Sequence, residues 1–256
     1  LADNSFALCA IDVAAWDLYG KIMGQPLYKL WGLELHDEMP TTDYTIGIDT
    51  TDKMLQKMRD LPFPTYKIKL GTDRDMDIMK AIRKATDARL RIDANGGWSA
   101  GQAILYAYDL MDLKVEIVEQ PLPANDWAGM KEVFRNALTP LIADESCVRE
   151  EDVEKCVGHF HGINIKLMKC GGITPALRMI SKARELGLKV MMGCMTESSI
   201  GISAIAQFLP LLDFVDMDSI LLNENDPASG VTINPDGSIN FPEVNGTGVR
   251  LNAAMY

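Results

Sequence analysis

The sequence predicts an α/β fold, a TIM-like (β/α)7β barrel. Three observations carry this. Eight short strand-like runs alternate with seven helical stretches between residues 44 and 218. Such regular alternation implies a parallel sheet with helices outside. Eight units in about 250 residues fit a closed barrel better than an open doubly wound sheet. No Gly-x-Gly-x-x-Gly follows the first strand, as an open dinucleotide-binding sheet would favour.

The elements follow in order. Residues 4–20, "NSFALCAIDVAAWDLYG", carry apolar residues at helical spacing and are expected to stop at Gly20. A short helix around "PLYKLWG" ends at Gly32. The strands are then "YTIGI", "YKIKL", "RLRID", "VEIVE", "PLIAD", "GINIK", "KVMMG" and "DFVDMD". Helices are expected between them over 51–60, 75–87, 100–111, 126–137, 150–157, 175–186 and 198–209. Ser99 is placed as one N-cap, and Thr174-Pro175 as a cap followed by proline at the first helical position. Residues 219–256 break the rhythm. Pro235-Asp236-Gly237 between two alternating runs signals a hairpin with no place in a barrel wall.

Composition excludes several function classes. A formal charge of −11 disfavours nucleic acid or an anionic membrane as a broad-surface partner. No apolar run approaches the ~20 residues of a membrane span. Five cysteines without a Cys-x-x-Cys pair read as reduced thiols in the cytoplasm. Three scattered histidines make no metal cage.

In a parallel barrel the carboxyl ends of the strands converge on one mouth, where active sites sit. Strand 1 delivers Thr45 there, strand 2 Lys67 and Lys69, strand 3 Asp93 and Asn95, and strand 4 Glu119. Strand 5 gives Asp144 with Glu145, strand 6 Lys166, and strand 8 Asp216 and Asp218. One charge at a strand end is usually a loop or capping residue. Here strands 3, 4 and 5 each end in a carboxylate, 26 and 25 residues apart, flanked by lysines on strands 2 and 6. Three convergent carboxylates need a cation, and an all-oxygen set favours Mg²⁺, with Mn²⁺ as a substitute.

Lys67 and Lys69 lie two apart, so both point inward and line the mouth. Lys69 and Lys166 then face each other across the metal site. A lysine acting as a base near neutral pH needs its pKa lowered by roughly 3 units, about 4 kcal/mol. Like charge, a divalent cation and burial push that way. Two bases on opposite faces of one carbon can remove and return a proton, inverting a stereocentre. A metal would stabilise the enediolate formed from a carbon acid beside a carboxylate.

"KIKLG", "DANGGW", "VEQPL", "ADES" and "NIKLMKCGG" closely resemble the enolase superfamily, in its muconate-lactonizing-enzyme subgroup. The resemblance implies Asp93, Glu119 and Asp144 as Mg²⁺ ligands, Lys69 and Lys166 as the acid/base pair, and Lys67 at the substrate carboxylate. It assigns Lys69 to the R-configured substrate and Lys166 to the S. The Asp-x-Asp of "DFVDMD" resembles the ammonium-binding pair of dipeptide epimerases of the L-Ala-D/L-Glu type. Thr45, Cys194 and Thr196 would also touch substrate. The implied activity is epimerisation of a small dipeptide by 1,1-proton transfer, in the cytoplasm and in cell-wall peptide metabolism. N-acylamino acid racemase, o-succinylbenzoate synthase and muconate cycloisomerase remain alternatives, and a homo-oligomer is open. The family's N-terminal α+β capping domain is expected to be missing from this chain. Residues 1–40 would be a helical junction to it, 41–218 the barrel, and 219–256 a tail packing back toward it.

Overall fold

The computed structural model describes residues 3–252; residues 1–2 of the expected junction and 253–256 of the expected tail lie outside them. Eight parallel strands follow one another in chain order: β1 (Tyr44–Ile46), β2 (Thr65–Lys69), β3 (Arg89–Asp93), β4 (Val115–Glu119), β5 (Leu141–Ala143), β6 (Gly162–Ile165), β7 (Lys189–Met192) and β8 (Phe214–Val215). A parallel bridge from Thr42 to Val215 joins the first edge to the last. The Thr42 hydroxyl also accepts the Met217 N–H at 2.8 Å, so the barrel closes.

The helices are α1 (Ser5–Met23), α2 (Leu27–Leu30), α3 (Thr51–Asp60), α4 (Asp75–Ala85), α5 (Ala100–Asp112), α6 (Trp127–Asn136), α7 (Leu167–Cys170), α8 (Ile173–Glu185), α9 (Ser199–Ala206) and α10 (Ser219–Leu222). Outward strand residues such as Ile68, Leu90, Ile92, Ile163 and Val190 are fully buried beneath this shell. Each contributes roughly 1.5–3 kcal/mol. Inside the barrel Ile117, Ile142 and Met191 form a separate small cluster with Phe214 against it. At its floor Arg91 is buried between Asp43 at 2.9 Å and Glu116 at 2.6 Å. The interior is therefore packed below the mouth, and open space is confined to the strand ends.

Four expectations need correction. The first helix does not stop at Gly20; it runs to Met23 and ends at Gly24, whose φ of 68° is the left-handed cap. Gly20 instead permits close packing, since a Cβ there would sit 2.5 Å from Gly246 Cα and 2.9 Å from Leu27 Cδ2. Gly20→Ala is expected to cost about 1–3 kcal/mol of stability by overpacking, read by chemical denaturation. An unchanged midpoint would contradict that contact. Second, residues 150–157 form no α-helix but two 3₁₀ turns, Glu150–Asp152 and Glu154–Cys156. The Asp152 carboxylate accepts the Val148 and Arg149 N–H groups, holding the short segment in tight turns. Third, Thr174 does not cap α8, which starts after Gly172; its hydroxyl donates to Asp12 of α1 at 2.6 Å. Fourth, β8 ends at Val215, so Asp216 and Asp218 lie just beyond the strand rather than on it.

Ser99 does cap α5, in a reciprocal capping box with Gln102. The hairpin pairs Thr232 with Asn240 and Ile233 with Ile239, and Gly237 takes a φ of 78° in its turn. The tail lies on α1 and α2. Gly246 exchanges backbone bonds with Gln25 and Leu27, and Thr247 donates to Asp17.

Candidate active site

Strand register sets the site. Lys69 is level with Asp93, and Asp93 with Glu119. Glu119 is level with Ile142, which puts Asp144 one inward position higher. Asp93, Glu119 and Asp144 are all essentially inaccessible. Lysines link them in a row. Lys69 Nζ lies 2.5 Å from Asp93 Oδ2, and Lys67 Nζ is 3.7 Å from Asp93 and 3.3 Å from Glu119. Lys166 Nζ is 3.8 Å from Glu119 Oε1 and 2.7 Å from Asp144 Oδ2, while Lys169 Nζ is 2.7 Å from Asp144 Oδ1. The structure thus brings the expected ligands and both expected acid/base lysines into one cluster.

Four ammonium groups gathered on three buried carboxylates measure how much positive charge the cluster demands. The donor set is oxygen-only, rigidly placed and strongly anionic. It fits a hard divalent cation such as Mg²⁺.

The lysine electrostatics run against one expectation. Burial alone would lower Lys166, but Glu119 and Asp144 hold it above the ordinary lysine value. Lys67 is likewise raised, by Asp216, Glu119 and Asp93 against burial. The carboxylates outweigh desolvation at both. A divalent cation on Asp144 and Glu119 would remove much of the attraction that holds the Lys166 proton.

Adjoining this cluster through Lys67 lie Asp216 and, beside it, Asp218. Asp216 pairs with Lys67, which keeps it below the usual carboxylate range despite burial. Its Oδ1 is buried and has no hydrogen-bond partner. Asp218 Oδ2 accepts the Thr45 N–H at 2.6 Å, and its Oδ1 faces the Cys194 thiol at 4.0 Å. Burial first, and the Asp216 charge second, push Asp218 up to about 7. Cys194 is also raised, chiefly by burial, and stays a thiol. One atom each of Cys194, Asp216 and Asp218 lie within 4.8 Å of one another. This trio is closer-knit than the three expected ligands, but a neutral thiol is a poor partner for Mg²⁺.

Thr45, Lys67, Lys69, Lys166, Cys194, Thr196, Asp216 and Asp218 all line one cavity of about 310 Å³ at the mouth. A wider groove of about 700 Å³ runs between α1, the start of α9 with the residues before it, and the tail. Its walls are mostly apolar, with Phe6, Val13, Met168 and Val249, so convergent chemistry belongs to the smaller cavity.

Three participants were not anticipated. Asn164 donates from Nδ2 to Glu119 Oε1 at 2.7 Å. It lies two residues before Lys166, so strand periodicity alone could have found it. Lys169 was hidden because the short helix α7, which turns it back onto Asp144, was not expected. Gly193 closes β7 where a Cβ would meet the Asn164 amide at 2.8 Å and Lys166 Cε at 3.2 Å.

Residues 50–255 match the family model described as "Enolase C-terminal domain-like". The chain belongs to this family. Within it, an L-Ala-D/L-amino acid epimerase from a Maribacter strain is 60% identical over 249 residues, 97% of this chain and 74% of that protein. A dipeptide epimerase from Cytophaga hutchinsonii, solved with Mg and the dipeptide D-Ala-L-Val, superposes with a TM-score of 0.92 at 31% identity, covering 100% of this chain and 73% of that one. One from Enterococcus faecalis, solved with Mg and L-Leu-L-Tyr, gives 0.90 at 38% identity, covering 97% and 74%. Among the described residues no helix is long and apolar enough to cross a membrane.

Proposed function

We propose that this protein is a Mg²⁺-dependent dipeptide epimerase. Asp93, Glu119 and Asp144 hold the metal, and Lys69 and Lys166 exchange the α-proton on opposite faces. When bound, the cation supplies positive charge against the substrate carboxylate as the α-carbon gives up its proton. Lys67 sits beside that carboxylate, adding a fixed charge. One lysine accepts the proton and the other returns one to the opposite face, which inverts the centre. The relatives solved with Mg and dipeptides support this reading. We further assign residues 41–218 to the barrel carrying the site, 1–40 to a helical lead-in and 219–256 to a tail packed on it. We place the enzyme in the cytoplasm, acting on peptides of cell-wall metabolism.

The observation that carries the dipeptide reading is the unpartnered Asp216 Oδ1, with Asp218, whose Oδ1 meets only the weakly donating Cys194 thiol, beside it at the mouth. Two carboxylates close together are costly unless a cation joins them. A substrate ammonium, donating several hydrogen bonds, fits that place. Charge-assisted bonds of this kind contribute roughly 1.5–3 kcal/mol each. Asp216→Asn and Asp218→Asn are therefore expected to raise KM about ten- to a hundredfold for dipeptides with a free amino terminus. N-acetylated analogues should change far less. An equal loss on both would favour an N-acylamino acid racemase.

The pH dependence follows. Asp218 is raised to about 7 from an ordinary 3.8. The folded protein thus holds a proton at Asp218 that the unfolded chain releases, and this group's contribution to stability falls as pH rises from about 4 through 7. Asp218→Asn should flatten that fall in urea titrations, whereas a residue serving only as a cap would lose stability at every pH.

A further inference from the structure

Lys69 and Lys166 are not held alike. The Lys166 side chain is 7% exposed, and Asp144 and Glu119 flank its ammonium. The Lys69 side chain is 28% exposed and stands on the last residue of β2. A long side chain at an open rim loses more rotamer freedom when fixed in one place. A base must also be fixed, because a misplacement of about 1 Å can cost on the order of 100-fold in rate.

Asn95 touches Lys69 at this rim. Its Oδ1 accepts from Lys69 Nζ at 3.1 Å. Its Nδ2 donates to Glu145 Oε1 at 3.3 Å, and its backbone N–H donates to Asp93 Oδ1 at 2.9 Å. Asp93 in turn holds Lys69 through its other oxygen at 2.5 Å. Lys69 is thus gripped from two sides, and Asn95 has a hand in both. Glu145, whose other oxygen is buried without a partner, fixes the far side of the Asn95 amide.

The turn does not need this side chain. Asn95 adopts a φ of 43°, a left-handed conformation that glycine takes more readily. Backbone bonds from Ala94 to Glu119 and from Gly96 to Gln120 already fix the loop. The Asn95 amide makes its bonds outside the turn, to Lys69 and Glu145.

We propose that Asn95 is a positioning residue for Lys69, braced by Glu145, and that it acts on one face of the reaction only. This rests on the two-lysine epimerase reading above. The test uses the complete protein with Mg²⁺ and a free dipeptide. α-Proton exchange in D₂O is followed by NMR, starting separately from each epimer. Lys69→Ala first identifies the epimer whose exchange depends on Lys69. Asn95→Gly, which preserves the backbone, is expected to slow exchange of that same epimer by about 10- to 100-fold. Exchange of the other epimer should stay within about twofold, which also shows that the variant is folded and loaded. In the Lys69→Ala background, Asn95→Gly should change nothing further. Equal loss on both faces, or no loss on either, would overturn the proposal while leaving the epimerase reading intact. If the wild-type protein exchanged neither epimer, the epimerase reading itself would fail and the proposal with it.

Discussion

EDTA is expected to abolish turnover, and added Mg²⁺ to restore it. Asp93, Glu119 and Asp144 are buried side by side at the ends of neighbouring strands. Each carries charge into a low-dielectric site, where mutual repulsion is strong. Two of the lysines that offset this charge, Lys69 and Lys166, are the groups proposed above as acid and base. A cation that takes over the carboxylates frees them for that work. Positive charge on the reacting carboxylate is worth several kcal/mol in the transition state, on the order of 1,000-fold in rate. Asp93→Asn or Glu119→Gln should cost most of that. Both replacements are nearly isosteric, and the fold should survive. Full activity in metal-free buffer would contradict the assignment of these carboxylates.

Lys69→Ala and Lys166→Ala should each abolish net epimerisation. General-base catalysis contributes typically 10²–10⁴-fold, and the loss of either base closes one direction of proton traffic. The two variants differ in what remains. Each should still exchange the α-proton of one epimer with solvent, and the epimers should be opposite. Lys166 stands among Asp144, Glu119 and Asn164, so its removal also unsettles the ligand set. Lys69 stands at the rim, and its loss should leave metal affinity nearer to that of the wild type. A variant that epimerised at the wild-type rate in both directions would rule out a two-base mechanism.

The reach of the sequence is clearest at particular residues. Period-two alternation in "YKIKL" and "GINIK" placed Lys67, Lys69 and Lys166 on the inner face, because a strand offers only two faces. Asn164 obeys the same period and could have been read with them. Lys169 obeys no strand pattern. It reaches Asp144 only because four residues after β6 coil into α7. Helices of this length are decided by tertiary contacts, not propensity. Gly20 shows the converse limit. A glycine signals either a helix end or a close approach, and only the packing of Gly246 against it decides which. The same holds for 150–157, where the Asp152 carboxylate, not helix propensity, organises the backbone. Asp216 and Asp218 point to the mouth as expected, though a turn rather than a strand brings them there.

The central claim is proton exchange by two lysines on opposite faces of one α-carbon. Its most direct measurement is a single-epimer dipeptide incubated with the complete protein and Mg²⁺ in D₂O, with early product analysed by mass spectrometry. Two bases predict an inverted product that carries solvent deuterium at the α-carbon from the first turnovers, from either starting epimer. An inverted product that kept its original α-proton would contradict the account.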